Sequence, residues 1–113
     1  MTANIGGDPS FAAGQIVTVF RSRLRAGARE EYDPMAAEMS ATAARMPGYV
    51  DAKVFTAIDG ERVTVVTFAD RASHDGWRTH ARHRVAQRQG REAFYDAYSL
   101  QVSECTSVAV FAR

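Results

Sequence analysis

The sequence predicts a single α+β domain with the order strand, helix, strand, strand, helix, strand. Three observations predict it: β-rich runs of alternating hydrophobicity, apolar residues at helical spacing between them, and an Asp59-Gly60 pair joining the two middle runs. This order is the split βαβ arrangement of ferredoxin-like domains. At 113 residues the chain has room for one core, which we assign to residues 15–113.

The first predicted strand is IVTVFRSRL, from Ile16 to Leu24, because it is rich in β-branched residues and alternates. One face then carries Ile16, Thr18, Phe20, Ser22 and Leu24, and the other carries Val17, Val19, Arg21 and Arg23. The preceding residues 1–14, MTANIGGDPSFAAG, are small, polar and glycine-rich without the apolar stretch of a secretion signal. They predict a flexible N-terminal arm.

The first predicted helix runs from about Ala28 to Met46. Its apolar stripe, at steps of three and four residues, consists of Tyr32, Met35, Met39, Ala43 and Met46. Pro34 either occupies the first turn behind an Asp33 cap or lies inside a helix that begins near Arg29. Pro47-Gly48 should end the helix, since neither residue continues it well.

The second half predicts a hairpin, a helix and a last strand. The runs YVDAKVFTAI and ERVTVVTF flank Asp59-Gly60, a pair suited to a tight turn. Asp70 or Ser73 should cap a second helix that continues through Trp77 to Gln89, and Gly90 should break it. The run YSLQVSECTSVAVF predicts a long last strand.

The strands also predict a homodimer. Both helices of this topology cover one face of the sheet, yet IVTVF and VTVVTF have apolar residues at consecutive positions, a pattern typical of strands covered on both sides. We therefore expect two sheets to pack face to face as a dimeric α+β barrel.

The net charge and the cysteine content restrict the classes of partner and the cellular setting that are expected for the protein. The net charge of +1 provides no global field for nucleic acid or anionic membrane, and the arginines of the second helix are scattered around it rather than aligned. The single Cys105 cannot form an intramolecular disulfide, and no apolar run is long enough to span a membrane. A soluble, cytoplasmic protein without nucleic-acid or membrane partners is expected.

The stretch WRTHARHRVAQRQG contains the candidate chemistry. On a regular helix, Trp77 and His80 can border one pocket, with Phe20 and Phe68 as strand neighbours. His80 or His83 could then act as a general base, because imidazole titrates near neutrality. In the alternative interpretation these residues have no catalytic role: Trp77 belongs to the core, and the histidines lie on the solvated surface of the helix. A metal site from His74, His80 and His83 is not expected, since neither HExxH spacing nor a completing carboxylate is present.

The spacing W-x-x-H-x-x-H-x-x-x-Q-x-x-G-R-x-x-F-Y-x-x-Y, together with IVTVFRSRL, RMPGYV and the Asp59-Gly60 hairpin, resembles the antibiotic biosynthesis monooxygenase domain family. The resemblance spans about Ile16 to Phe111 and implies a dimeric barrel of ferredoxin-like domains. It also implies either a cofactor-free oxygenase of phenolic or anthrone-type aromatics or an enzyme that degrades haem. Some relatives have no known substrate.

The haem-degrading branch implies three markers: an asparagine on the first strand, a tryptophan, and a ligating histidine about ten residues later. Trp77 matches the tryptophan. The ligand position falls on Gln87, and the asparagine position falls on Phe20 or Arg21. His80 or His83 could ligate haem only in a shifted geometry.

The leading hypothesis is therefore a homodimeric monooxygenase that needs no cofactor or metal and oxidises a small phenolic, quinol or polyketide-type aromatic with O₂. Trp77, His80 and His83 are its predicted catalytic residues, and Phe20, Phe68 and Gln87 its predicted substrate-binding residues. The alternatives are a haem-binding or haem-degrading monooxygenase, and a non-catalytic dimer that binds a small molecule.

Overall fold

The computed structural model describes residues 2–3 and 10–113; the other residues of the predicted arm, 1 and 4–9, lie outside this part. The strands are β1 (Thr2–Ala3), β2 (Phe11–Ala12), β3 (Ile16–Leu24), β4 (Tyr49–Thr56), β5 (Arg62–Phe68) and β6 (Tyr95–Glu104). The helices are α1 (Arg29–Ala44), α2 (Arg71–Thr79) and α3 (Ala81–Gln89), followed by a π-helical turn (Gly90–Phe94). None of the described helices is long and apolar enough to cross a membrane.

The four long strands form one antiparallel sheet in the order β4-β5-β3-β6, while β1 and β2 pair separately. With α1 after β3, and α2 and α3 after β5, this confirms the predicted α+β ferredoxin-like fold. The register pairs Phe20 with Thr64 and with Leu100, so these side chains share a face. The alternation predicted for the first strand is thereby confirmed, and Phe20 lies on the face that carries the helices.

Helix α1 begins at Arg29, so Pro34 lies inside it and does not begin it. This decides between the two arrangements that the sequence allowed. Tyr32 and Ala43 are the buried members of the apolar stripe, and the methionines between them are partly buried. After the helix, Gly48 turns the chain with a positive φ of 79°, where a Cβ would collide with the Ser73 side chain.

The prediction of one continuous helix from Asp70 to Gln89 was wrong. His80, with a ψ of 135°, separates α2 from α3. Its N–H donates to the Trp77 carbonyl at 3.1 Å, and its own carbonyl accepts from Arg84 N–H at 3.0 Å. The two helices therefore end and begin on the same residue, which satisfies backbone groups that a simple break would leave without partners. The predicted cap at Asp70 is confirmed, because its Oδ1 accepts from Ser73 N–H at 2.8 Å.

As predicted, the α-helix ends at Gln89; Gly90 then begins a π-helical turn. A Cβ at Gly90 would collide with the Tyr95 ring, so glycine allows that ring to approach the backbone closely. Strand β6 also differs from its predicted bounds, since it begins at Tyr95 and ends at Glu104. Its register ends opposite Ile16, the first residue of β3, so residues 106–113 have no β3 residue opposite them.

Candidate functional site

A cavity of about 300 Å³ lies between the helices and the sheet, at the lower end of the range for small-molecule sites. Its walls are mainly apolar. The lining residues from the helical layer are Tyr32, Met35, Ala36, Met39, Ser40, Ala43, His74, Trp77, Arg78, His83, Ala86, Gln87 and Arg91; those from the sheet are Thr18, Phe20, Ala52, Val54, Arg62, Thr64, Val66, Tyr95, Tyr98 and Leu100.

Trp77 and His83 form a stacked pair in the cavity wall. Their ring centroids are 4.2 Å apart and the rings are inclined by 13°. On a regular helix, residues six apart point to different sides. The break at His80 therefore permits this contact, and the sequence-based expectation of a regular helix missed it.

The His83 ring is fixed by a hydrogen bond at 3.1 Å between its Nδ1 and the Trp77 carbonyl oxygen. A carbonyl oxygen only accepts, so Nδ1 carries the proton and Nε2 keeps its lone pair. Burial lowers the pKa of His83 below its ordinary value, and the bond to Trp77 opposes that shift. At neutral pH His83 is therefore an uncharged imidazole with one basic nitrogen.

A second histidine, His74, also lines the cavity and is 6% exposed. Its Nδ1 lies 3.1 Å from the Asp75 Oδ1. A carboxylate at Nδ1 favours the tautomer with its lone pair on Nε2. From the sequence, His74 was a candidate only for a metal ligand, although the adjacent His74-Asp75 pair was visible there.

At the opposite end of the cavity, aromatic rings cluster around Phe20. The Tyr95 and Tyr98 rings each lie 5.5 Å from Phe20 between centroids, and the Tyr32 ring lies 5.9 Å from that of Tyr95. Burial raises the pKa of the Tyr95 hydroxyl well above its ordinary range. That hydroxyl therefore remains a neutral hydrogen-bonding group rather than a phenolate.

Arg62 brings a cation to the same end. Its guanidinium carbon lies 5.1 Å from the centre of the Tyr32 ring, and its Nη1 lies 4.0 Å from the Asp33 Oδ1. The Nε is buried without a hydrogen-bond partner. This residue was missed, although a charged residue on the inward alternation of β5 could have indicated it.

The structure brings four of the six predicted site residues to the cavity: Trp77, His83, Phe20 and Gln87. His80 and Phe68 are not in its wall. His80 ends α2, with its ring centroid 6.1 Å from that of Trp77. Phe68 is fully buried in the core with Ala43 and Trp77, at the opposite end of β5 from Arg62.

Within the described part of the chain, no group of three or more His, Cys, Asp or Glu residues could hold a metal ion. The three histidines of the helical region thus do not form such a group.

Comparison with known proteins identifies relatives of both sequence and fold. A family model described as antibiotic biosynthesis monooxygenase matches residues 15–89. The uncharacterized protein YqjZ of Bacillus subtilis (strain 168) is 28% identical over 80 residues, which cover 71% of this chain and 70% of YqjZ.

Solved structures resemble the fold at lower sequence identity. The cofactor-independent oxygenase SnoaB from Streptomyces nogalater has a TM-score of 0.72 and 17% identity, covering 89% of this chain and 100% of SnoaB. Rv0793 from Mycobacterium tuberculosis has a TM-score of 0.70 and 17% identity, covering 88% and 97% of the two chains. At such identities the likeness concerns the fold.

Proposed function

The chain belongs to the antibiotic biosynthesis monooxygenase family, and we propose that it is a cofactor-independent monooxygenase that oxidises a small aromatic substrate with O₂. One observation carries the proposal: a largely apolar cavity has the neutral His83 stacked on Trp77 in its wall. A base beside an aromatic platform suits a phenol, quinol or anthrone whose anion reacts with oxygen. The similarity to the oxygenase SnoaB supports the same reaction class.

His83 is the proposed base. Its Nε2 takes a proton from a phenolic hydroxyl or an activated methylene carbon, while the Trp77 carbonyl holds Nδ1–H and stabilises the imidazolium that forms. Trp77 orients the substrate ring by stacking and contact, and Phe20 and Gln87 border the bound molecule. We assign no proton transfer to His80 and no substrate contact to Phe68.

Oxygen then reacts with the substrate anion. For an activated methylene, one electron passes to O₂, and the resulting substrate radical and superoxide combine to form a C–O bond. The peroxide takes the proton from His83, loses the remaining C–H proton and breaks its O–O bond. The products are a carbonyl and one water, so R₂CH₂ and O₂ give R₂CO and H₂O. The apolar walls exclude bulk water during the radical and peroxide stages.

The two alternatives have less support. A non-catalytic protein that binds a small molecule would also need the open cavity, but the stacked His83 with a free Nε2 lone pair favours the catalytic assignment. For haem degradation, the family's ligand position corresponds to Gln87, whose amide is not among the usual axial ligands of haem iron.

Oxygen uptake tests the proposal. The protein, treated with a chelator and supplied with no cofactor, should consume O₂ when given anthrones, naphthols or quinols. The rate above the spontaneous background should be proportional to protein concentration. A chelated protein that accelerates none of these substrates but becomes active with haemin, together with a Soret shift, would replace the proposal with the haem alternative.

We also propose that the protein is a homodimer, located in the cytoplasm as its single cysteine leads one to expect. Phe55 of the edge strand β4 pairs with Val63 on the sheet face that the helices leave uncovered, and it is 51% exposed. A second chain packed on the sheet would cover such apolar surface. Sedimentation at micromolar concentration should give the mass of two chains, whereas the mass of one chain would contradict this proposal.

A further inference from the structure

The charges around the cavity are one-sided. Three arginines line it, Arg62, Arg78 and Arg91, and no Asp or Glu of the described residues is in its wall. Arg78 and Arg91 are exposed, so water and salt screen much of their charge, whereas the Arg62 side chain is only 19% exposed and its charge is screened less in the apolar space. The cavity is therefore suited to a ligand that carries negative charge.

Arg62 differs from the other two arginines because one of its donors is unsatisfied. Buried polar groups nearly always have a hydrogen-bond partner, and an unsatisfied buried donor is costly. The Arg62 Nε has no partner, although the side chain contacts Tyr32 through its face and Asp33 through Nη1. Asp33 thus approaches Nη1 and leaves free the side of the guanidinium group that is formed by Nε–H and Nη2.

Guanidinium groups bind carboxylates side-on through two parallel N–H donors, of which Nε–H can be one. We infer that Arg62 is a specificity-determining residue that binds a carboxylate of the substrate at the end of the cavity formed by Phe20, Tyr32 and Tyr95. The substrate class is then an aromatic carboxylic acid, with the ring toward Trp77 and the acid group on Arg62. This inference specifies the substrate class of the proposed oxygenase. That the bound acid is a substrate rests on the proposed function.

Binding of a ligand that cannot be oxidised tests this inference separately from catalysis. The probes are 2-naphthoate and its neutral isostere 2-naphthamide. Trp77, the only tryptophan, lines the cavity, so its fluorescence reports both titrations. Wild-type protein should bind naphthoate more tightly than naphthamide by about tenfold or more.

Arg62→Met should remove that preference and leave naphthamide affinity nearly unchanged, which also verifies that the variant is folded. Arg62→Lys, which keeps the charge and loses Nε–H, should fall between the two. Arg88→Met is the matched control, because Arg88 is exposed on α3 and does not line the cavity. It should leave naphthoate affinity within about threefold, since exposed charges are strongly screened.

Equal affinity of the wild type for the two probes, no binding of either probe, or an equal loss in Arg88→Met would overturn the inference. Oxygen uptake separates it from the proposed function. A protein that binds naphthoate through Arg62 and oxidises no aromatic would retain the binding site and lose the oxygenase assignment. A protein that oxidises only neutral aromatics, at a rate that Arg62→Met does not change, would keep the oxygenase assignment and lose the carboxylate-binding role of Arg62.

Discussion

Replacing His83 by alanine should lower kcat/KM for oxygen consumption by about 10² or more, the usual contribution of a positioned general base. His83→Gln should lose as much. The glutamine amide can still donate to the Trp77 carbonyl that His83 now contacts, but it has no basic nitrogen. Initial rates with an oxygen electrode, on an anthrone or quinol that the wild type oxidises, measure both variants.

His80→Ala is the control, because His80 is close in sequence but absent from the cavity wall. It should keep most of the activity. The pH profile gives a second readout. The neutral imidazole is the active form, and burial lowers the pKa of His83, so wild-type kcat/KM should stay on its plateau below the ordinary imidazole pKa and fall only at lower pH. Greater loss in His80→Ala than in His83→Ala would reverse the base assignment.

Phe68→Ala should lower the free energy of unfolding by about 3–5 kcal/mol, a typical cost of removing a fully buried aromatic ring. Phe68 has no exposed surface, packs with Ala43 and Trp77, and meets the Tyr49 ring edge-on at 6.1 Å. A small domain has only about 5–15 kcal/mol in total, so this variant should be close to unfolding. Urea denaturation followed by circular dichroism measures the change.

Ile58→Ala is the matched apolar control, since Ile58 is fully exposed beside the hairpin turn. Its free energy of unfolding should change by no more than about 0.5 kcal/mol. If Phe68→Ala instead lowered the free energy of unfolding by less than about 1 kcal/mol and weakened ligand binding, Phe68 would be a substrate-binding residue, as predicted from the sequence.

Much of the fold could be predicted because its signals are local. Two-residue alternation assigned the faces of β3, including the inward position of Phe20. Asp59-Gly60 identified the hairpin, where Gly60 has a positive φ of 91°. The Asp70 cap marked the start of α2 in the same way. Each depends on residues within a few positions of one another.

The site was less predictable because its geometry depends on contacts that have no local signal. No proline or glycine marks the break at His80, so the stacking of His83 on Trp77 could not be derived from helical spacing. Phe20 and Phe68 share one sheet face, and alternation alone cannot tell which one the helices bury completely. The inward alternation of β5 could have indicated Arg62, but only the three-dimensional structure shows that its Nε has no partner.

Isotope labelling tests most directly whether the cavity is an oxygenase site that works without a cofactor. Chelator-treated protein is incubated with an anthrone-type substrate under ¹⁸O₂, and the product is examined by mass spectrometry. The proposed chemistry places one ¹⁸O atom in the product carbonyl and the other in water. The wild type should form this labelled product much faster than His83→Gln. Product that gains no ¹⁸O from the gas, or that forms equally fast with His83→Gln, would contradict it.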